Sequence, residues 1–285
     1  MKYIRNFEDK QSATGAQDLV APHVSYCEET NQTLYCNGTT DTPVEIIEES
    51  GILKAQIKVT GPEYVDLGLP SGKLWMKYNL GVDPNQLATV ADYCGKYYQF
   101  GDVVGYTGDD AKAHSTWSTC PCNGGADDYD ETYFNAHKSE LLDSNNKLFP
   151  ACDAVTVAYS DWHMPTKDDY VELISTFCTW SEDDECYVYK EGWSEWATDY
   201  NNISGLNGIL LHGQGEYAGN DLFIPAAGGY YDGEFYALGV GGYVWSSVLN
   251  SDDPDYSFSL LFYSDYVLPE FSGDRYVAFS VRGVK

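Results

Sequence analysis

The C-terminal third of the chain alternates short apolar runs with turn formers. LFIPAAG, GYVWSS, FSLLFY and YVAFSVRGV are separated by Gly, Asn, Asp and Pro. Runs of this length and spacing read as strands joined by turns. Two helices stand out upstream. One covers Ala88–Gln99 and carries a mixed aromatic face. The other follows WHMPTKDDYVELISTFC, where Thr166 is a candidate N-cap and Asp169, three residues on, stands in the capping-box position. Tyr170, Val171, Ile174, Phe177 and Cys178 then share one face at helical spacing. Asp102–Asn146 reads as a long, polar, loop-rich insertion. The class is α+β.

Residues 1–60 form a separate organisation. Val24 and Tyr26, then Leu34 and Tyr35, flank the polar run CEETNQT, which predicts a small hairpin turning near Glu29–Gln32. Val44 and Ile46, then Ile52, Leu53, Ile57 and Val59, suggest further short strands, and the stretch ahead of Pro22 suits a helix. Gly61-Pro62 punctuates the end. Sixty residues make a marginal independent core. The expected division is a β-rich anchor or oligomerisation segment at 1–60 and a main domain at 61–285.

The chain has 285 residues and a formal net charge of −28. From Glu191 to Asp274 there is no Lys or Arg. Phosphate contacts need cationic side chains, so nucleic acid is excluded as a partner class, and an anionic membrane surface would repel the chain. No apolar stretch approaches the length of a transmembrane helix, and the first residues lack the apolar core of an export signal. Eight cysteines are read as reduced or buried thiols, with Cys178–Cys186 or Cys120–Cys152 as the bridges an oxidising compartment would favour. Cys120-Pro121-Cys122 lacks the second ligand pair of a zinc site. Acidic side chains beside carbonyl-rich loops keep calcium open as a metal, although the EF-hand spacing is absent.

Five segments taken in order resemble the Fibrobacter succinogenes major paralogous domain: Tyr64–Gly81, Asp161–Ile174, Leu222–Gly233, Gly241–Ser247 and Arg275–Val284. The resemblance spans nearly all of Tyr64–Lys285. It implies the C-type-lectin-like fold of the formylglycine-generating-enzyme kind, also used by variable proteins of diversity-generating retroelements. The expected architecture is a twisted antiparallel sheet with two helices. Two positions depart from the family: His163 stands where arginine is usual and Gly283 where proline is usual. The Cys-containing insertion around Ala111–Glu131 lies outside the pattern. The N-terminal segment KYIRNF…LVAPHVSYCEETNQTLYCN resembles those of Bacteroides phage virion and tail proteins.

The resemblance implies a non-enzymatic binding protein. Cysteine oxidation by the fold relative needs paired cysteines near the C-terminus of the domain, and no cysteine follows Cys186. A G-x-S-x-G nucleophile elbow is also missing. Trp75, Trp162, Trp245, Phe223, Phe262 and Phe279 fall in the family-like segments and are expected in the core. Positions where the family varies hold Tyr256, Phe258, Leu261, Tyr263, Asp265, Tyr266, Leu268, Glu270, Phe271, Asp274 and Tyr276, with Ser259 and Ser272 among them. Tyr, Ser, Gly and Asp are the chemistry of a paratope-like surface. With a period of two, core positions at Leu260 and Phe262 would leave Leu261 and Tyr263 exposed. The expectation is a homo-oligomeric phage virion or tail component that binds a bacterial surface glycan or protein. It would join other virion proteins through residues 1–60. The alternative is a bacterial cell-surface adhesin or pilus-tip-like protein seen without its export signal.

Overall fold

The computed structural model describes residues 61–285 throughout and, before them, five strands. The chain divides into two compact units, Met1–Gly61 and Pro62–Lys285. In the first unit, β1 (Tyr3–Asn6), β2 (His23–Cys27), β3 (Gln32–Cys36), β4 (Asp41–Glu49) and β5 (Ile52–Ile57) form one sheet in chain order. Each strand is antiparallel to the next. Val24 pairs with Tyr35 across β2–β3, the hairpin read from the sequence. The helix expected ahead of Pro22 lies outside the described residues.

The second unit mixes helix and strand. It runs through β6 (Tyr64–Asp66), β7 (Leu74–Met76), α1 (Val90–Cys94), β8 (Tyr97–Tyr98), α2 (Gly108–Ala113), α3 (Glu131–Leu141), α4 (Ala154–Ala158) and α5 (Lys167–Phe177). Then come β9 (Cys178–Ser181), β10 (Cys186–Tyr189), β11 (Ser194–Ala197), β12 (Gly208–His212), β13 (Asp221–Pro225), β14 (Gly229–Tyr231) and β15 (Glu234–Tyr236). The last four strands are β16 (Gly242–Leu249), β17 (Tyr256–Phe262), β18 (Val267–Asp274) and β19 (Phe279–Ser280). The main sheet has the order β8-β19-β16-β17-β18-β10-β9 and is antiparallel except for the β16–β19 pair.

Two apolar layers cover this sheet. On one face Val244, Leu260, Phe262 and Val267 pack with Tyr170, Leu173, Ile174 and Phe177 of α5. On the other, Tyr243, Trp245, Leu261 and Phe279 pack with Phe100, Phe134 and Leu141. The six aromatic residues expected in the core are all buried, none above 6 % exposed. Helix α5 starts as its sequence dictates: the Thr166 side chain accepts from Asp169 N, and the Asp169 carboxylate accepts from Thr166 N. Val171 sits at the edge of the buried face, and Leu173 takes its place in the core.

Two ends of the unit are zipped together. Trp75 bridges Val284, Leu74 N donates to Lys285 O at 2.9 Å, and Met76 N donates to Gly283 O at 2.9 Å. Arg282, 1 % exposed, locks this seam. Its guanidinium donates to Asn79 Oδ1 and to the carbonyls of Met76, Lys77 and Phe223. Burial lowers its pKa to about 9. Gly283 is a packing requirement, because a Cβ there would lie 2.3 Å from Met76 Sδ.

The described residues hold five α-helices, against the two expected. The first helix is shorter than its pattern: α1 spans five residues because Gly95, at φ 73°, breaks it and β8 is drawn into the sheet. The insertion at Asp102–Asn146 is not simply loop. Asp130 caps α3 by accepting from Tyr133 N at 2.8 Å, and Phe134 and Leu141 of that helix enter the core. Arg275 fastens the insertion to the sheet. It is fully buried, donates to the Pro254 and Pro121 carbonyls, and lies 4.2 Å from the Phe134 ring.

The considered disulfides do not form. Cys178 lies opposite Tyr189 and Cys186 opposite Ser181, which separates the two cysteines by three steps of the ladder. That is about 10 Å along the strands, beyond the reach of a bridge. Cys120 receives an Arg275 N–H, while the Cys152 thiol donates to Glu140 O. All six described cysteines are free.

Candidate functional site

Strands β16, β17 and β18 lie side by side, and their side chains divide between the two faces with a period of two. Leu260 and Phe262 face α5, so Leu261 and Tyr263 take the opposite face, as the alternation requires. That face is not open, however. Leu261 is only 4 % exposed, which corrects its expected place on a binding surface. It sits on the central strand of the three, with Tyr243 opposite on one side and Leu268 on the other. Large cross-strand neighbours at that spacing cover the middle residue.

The second corrected residue is Tyr276. It is 4 % exposed, 4.9 Å from the Trp117 ring and 5.5 Å from the Tyr231 ring. It packs beneath the surface, and the Gln99 side-chain amide donates to its carbonyl at 2.8 Å.

A groove of about 490 Å³ opens beside these strands. Its floor is Tyr243, Val277 and Phe279, with the Tyr243 and Phe279 rings stacked 4.8 Å apart. Tyr256, Phe271 and Asp274 form one side. Tyr231, Glu234 and Tyr236 of the β14–β15 hairpin form the other. Four of the expected ligand positions therefore come together: Tyr256, Phe271, Ser272 and Asp274. Tyr263, Tyr266 and Leu268 are half-buried beside the groove and pack on the same layer. The Tyr263 and Tyr243 hydroxyls are hydrogen-bonded, and the Tyr263 and Tyr266 rings lie 5.3 Å apart.

The remaining candidates lie elsewhere. Phe258 and Glu270 are both engaged by Lys167 of α5, whose ammonium is 4.8 Å from the Phe258 ring and 2.9 Å from Glu270 Oε1. They therefore belong to the helix-facing side of the sheet. Asp265 is exposed in the β17–β18 turn.

The hairpin wall was not anticipated, yet its signal is in the sequence. Tyr231 pairs with Glu234, leaving Asp232-Gly233 as a two-residue turn with φ of 48° and 76°. Asp-Gly between GlyTyrTyr and GluPheTyr is the strongest short-range hairpin pattern there is. Gly228 lets the two arms of the hairpin close on each other: at φ 63°, a Cβ there would lie 2.1 Å from Tyr236 O of the paired strand. Tyr230 then bridges Ala278, seating the hairpin against the chain before β19.

The groove is electrostatically one-sided. Burial and then the charges of Asp232 and Asp253 raise the Asp274 pKa. Burial and then Asp253 and Asp274 push Asp255 up to about 6. The Asp274 charge in turn raises the Tyr256 phenol. No group of three or more His, Cys, Asp or Glu among the described residues converges in a way that could hold a metal ion.

The chain matches no protein-family model, no curated protein and no solved structure.

Proposed function

We propose that this chain is a non-enzymatic binding protein whose second unit is a C-type-lectin-like domain. In this reading it serves as a receptor-binding component of a phage particle, attaching to a protein or glycan on a bacterial surface. The first unit anchors it, within a homo-oligomer, to other virion proteins. The observation that carries the binding reading is the aromatic groove between the β14–β15 hairpin and β16–β18. It combines a cavity volume typical of ligand sites, apolar walls and a few polar groups. The fold reading is supported by the zipped ends of the unit and by the two apolar layers packed on a largely antiparallel sheet. Repeated copies on a particle would raise the avidity of individually weak sites.

The test is attachment of fluorescently labelled protein to candidate host cells. Saturable attachment is expected. It should weaken by about 1–2 kcal/mol for each of Tyr236→Ala and Phe271→Ala, as for anchors in a buried contact. Phe258→Ala, on the other face of the sheet, should leave it unchanged. Attachment that survives the Tyr236→Ala/Phe271→Ala double variant would refute the groove as the receptor site.

A further inference from the structure

The groove's rim is acidic and lacks a protein counter-charge. Glu234 and Asp274 line it, Asp232 forms the hairpin turn beside it, and Asp253 and Asp255 lie in the β16–β17 loop. Among the described residues none of these five carboxylates pairs with Lys, Arg or His. The nearest arginine in sequence, Arg275, is fully buried, and its Nε and Nη1 donate to Pro254 O, Pro121 O and Cys120, away from the rim. Lys112, whose backbone carbonyl comes near Gly233, directs its ammonium to Asp109 at 3.8 Å.

The walls carry the same sign. Tyrosine and phenylalanine rings present negative faces, which attract a cation placed over them, most strongly when it is desolvated. A neutral ligand would leave the carboxylates uncompensated, and an anion would be repelled. A compact hydrated metal ion is not matched either, because no three donors converge on a point among the described residues. A cation on a long apolar stem is matched at both ends. The stem would lie along Tyr243, Phe271 and Phe279, with the carboxylates of Asp274 and Glu234 in the groove lining to receive the head. Lysine and arginine side chains are built in this way.

We infer that the groove binds a lysine or arginine side chain presented by a basic segment of a partner protein. The inference rests on the groove being the receptor site and names the chemistry that site accepts. It also carries a pH dependence. Asp274 faces Asp232, Asp253, Asp255, Tyr236, Tyr256 and Tyr276, and a bound cation relieves the repulsion among the carboxylates. Asp255, pushed up to about 6, takes up its proton as pH falls from 7 toward 5, and the loss of that rim charge weakens binding over this range.

Calorimetric titration of the full chain tests this with four blocked tripeptides, Gly-X-Gly with X lysine, arginine, norleucine or glutamate, and with glucosamine. Saturable binding of the lysine or arginine peptide is expected, without binding of the norleucine or glutamate peptide. Asp274→Asn should weaken it about tenfold, the loss of one charge-assisted contact. Glu234→Gln, at an exposed rim position, should weaken it less and serves as the variant least able to disturb folding. Equal binding of norleucine and lysine peptides would overturn the inference. So would no saturable binding of either cationic peptide up to about 10 mM, weaker than any specific contact of this kind, or binding of glucosamine alone. These failures are separable from failure of the receptor reading: groove variants that still abolish cell attachment would keep the receptor site while removing its cationic ligand.

Discussion

The Asp169 carboxylate serves two partners with its two oxygens. Oδ1 lies 2.7 Å from Lys73 Nζ, while Oδ2 accepts from the Thr166 backbone N–H at 2.7 Å and from its hydroxyl at 2.8 Å. One side chain thus starts α5 and pins the LPSGKLW segment to it.

Replacing Asp169 by Asn should therefore cost about 1–3 kcal/mol, from a lost cap and a broken, largely buried ion pair. Urea unfolding of the second unit's tryptophan signal measures it. Burial alone would raise the Asp169 pKa, but Lys73 and the Thr166 donors outweigh it and hold it low. A depressed carboxylate stabilises the fold above its unfolded value near 4, and that stability is lost as pH falls through its folded value. Wild type should lose stability on acidification below pH 4 more steeply than Asp169→Asn.

Asp255 has the opposite sign. Its pKa is raised to about 6, so between about 4 and 6 the folded chain holds the proton that the unfolded chain releases. This contribution to stability is present below the unfolded value and fades as pH rises through 6. Asp255→Asn should raise the Tm at pH 7.5 and flatten its slope between pH 4 and 6. An unchanged slope by differential scanning fluorimetry would contradict the crowding of Asp253, Asp255 and Asp274.

Two glycines separate backbone strain from packing. Gly72 and Gly228 both have positive φ, of 74° and 63°. A Cβ at Gly72 meets nothing within 4 Å, whereas one at Gly228 would collide with Tyr236 O. Gly72→Ala should cost about 1–2 kcal/mol, the left-handed backbone penalty alone. Gly228→Ala should cost more and displace the hairpin, so its chemical unfolding midpoint falls further and its groove binding is lost. Equal costs would show that the hairpin yields freely.

Thiol labelling follows burial. Desolvation pushes Cys94 and Cys178 up to about 11 and Cys120 to about 12. Thiolate is the reactive form, so these three should resist alkylation at pH 8 until the chain unfolds. Cys122 and Cys152 are half-exposed and should label first, as mapped by mass spectrometry of tryptic peptides. A Cys178–Cys186 disulfide peptide from native protein would contradict the β9–β10 register.

Local rules made much of the second unit legible. Thr166 and Asp169 are a capping box in the sequence and in the structure, because the motif needs only four consecutive residues. Alternation at Leu260 to Tyr263 was read correctly as two faces. The burial of Leu261 was not, because it depends on Tyr243 and Leu268 from neighbouring strands, a relation that period-two reasoning within one strand does not contain. The groove shows the same limit. Tyr256, Phe271 and Asp274 are legible as candidates, but the hairpin bearing Tyr231 and Tyr236 reaches them through long-range contacts, the Gly228–Gly242 and Tyr230–Ala278 bridges and the bonds from Asp232 and Gly233 to Ser115. Helix α3 was missed for a different reason: its polar composition hid the cap at Asp130 and the apolar pair Phe134 and Leu141, seven residues apart.

The seam between β7 and the last residues has a consequence for how such a domain can change over time. Trp75, Arg282 and Val284, which close the unit, share no position with Tyr231, Tyr236, Tyr256, Phe271 and Asp274, which shape the groove. Residues in the second set can be exchanged without loosening the closure. The closure can therefore be inherited intact while the lining of the groove is rewritten, at little risk to folding.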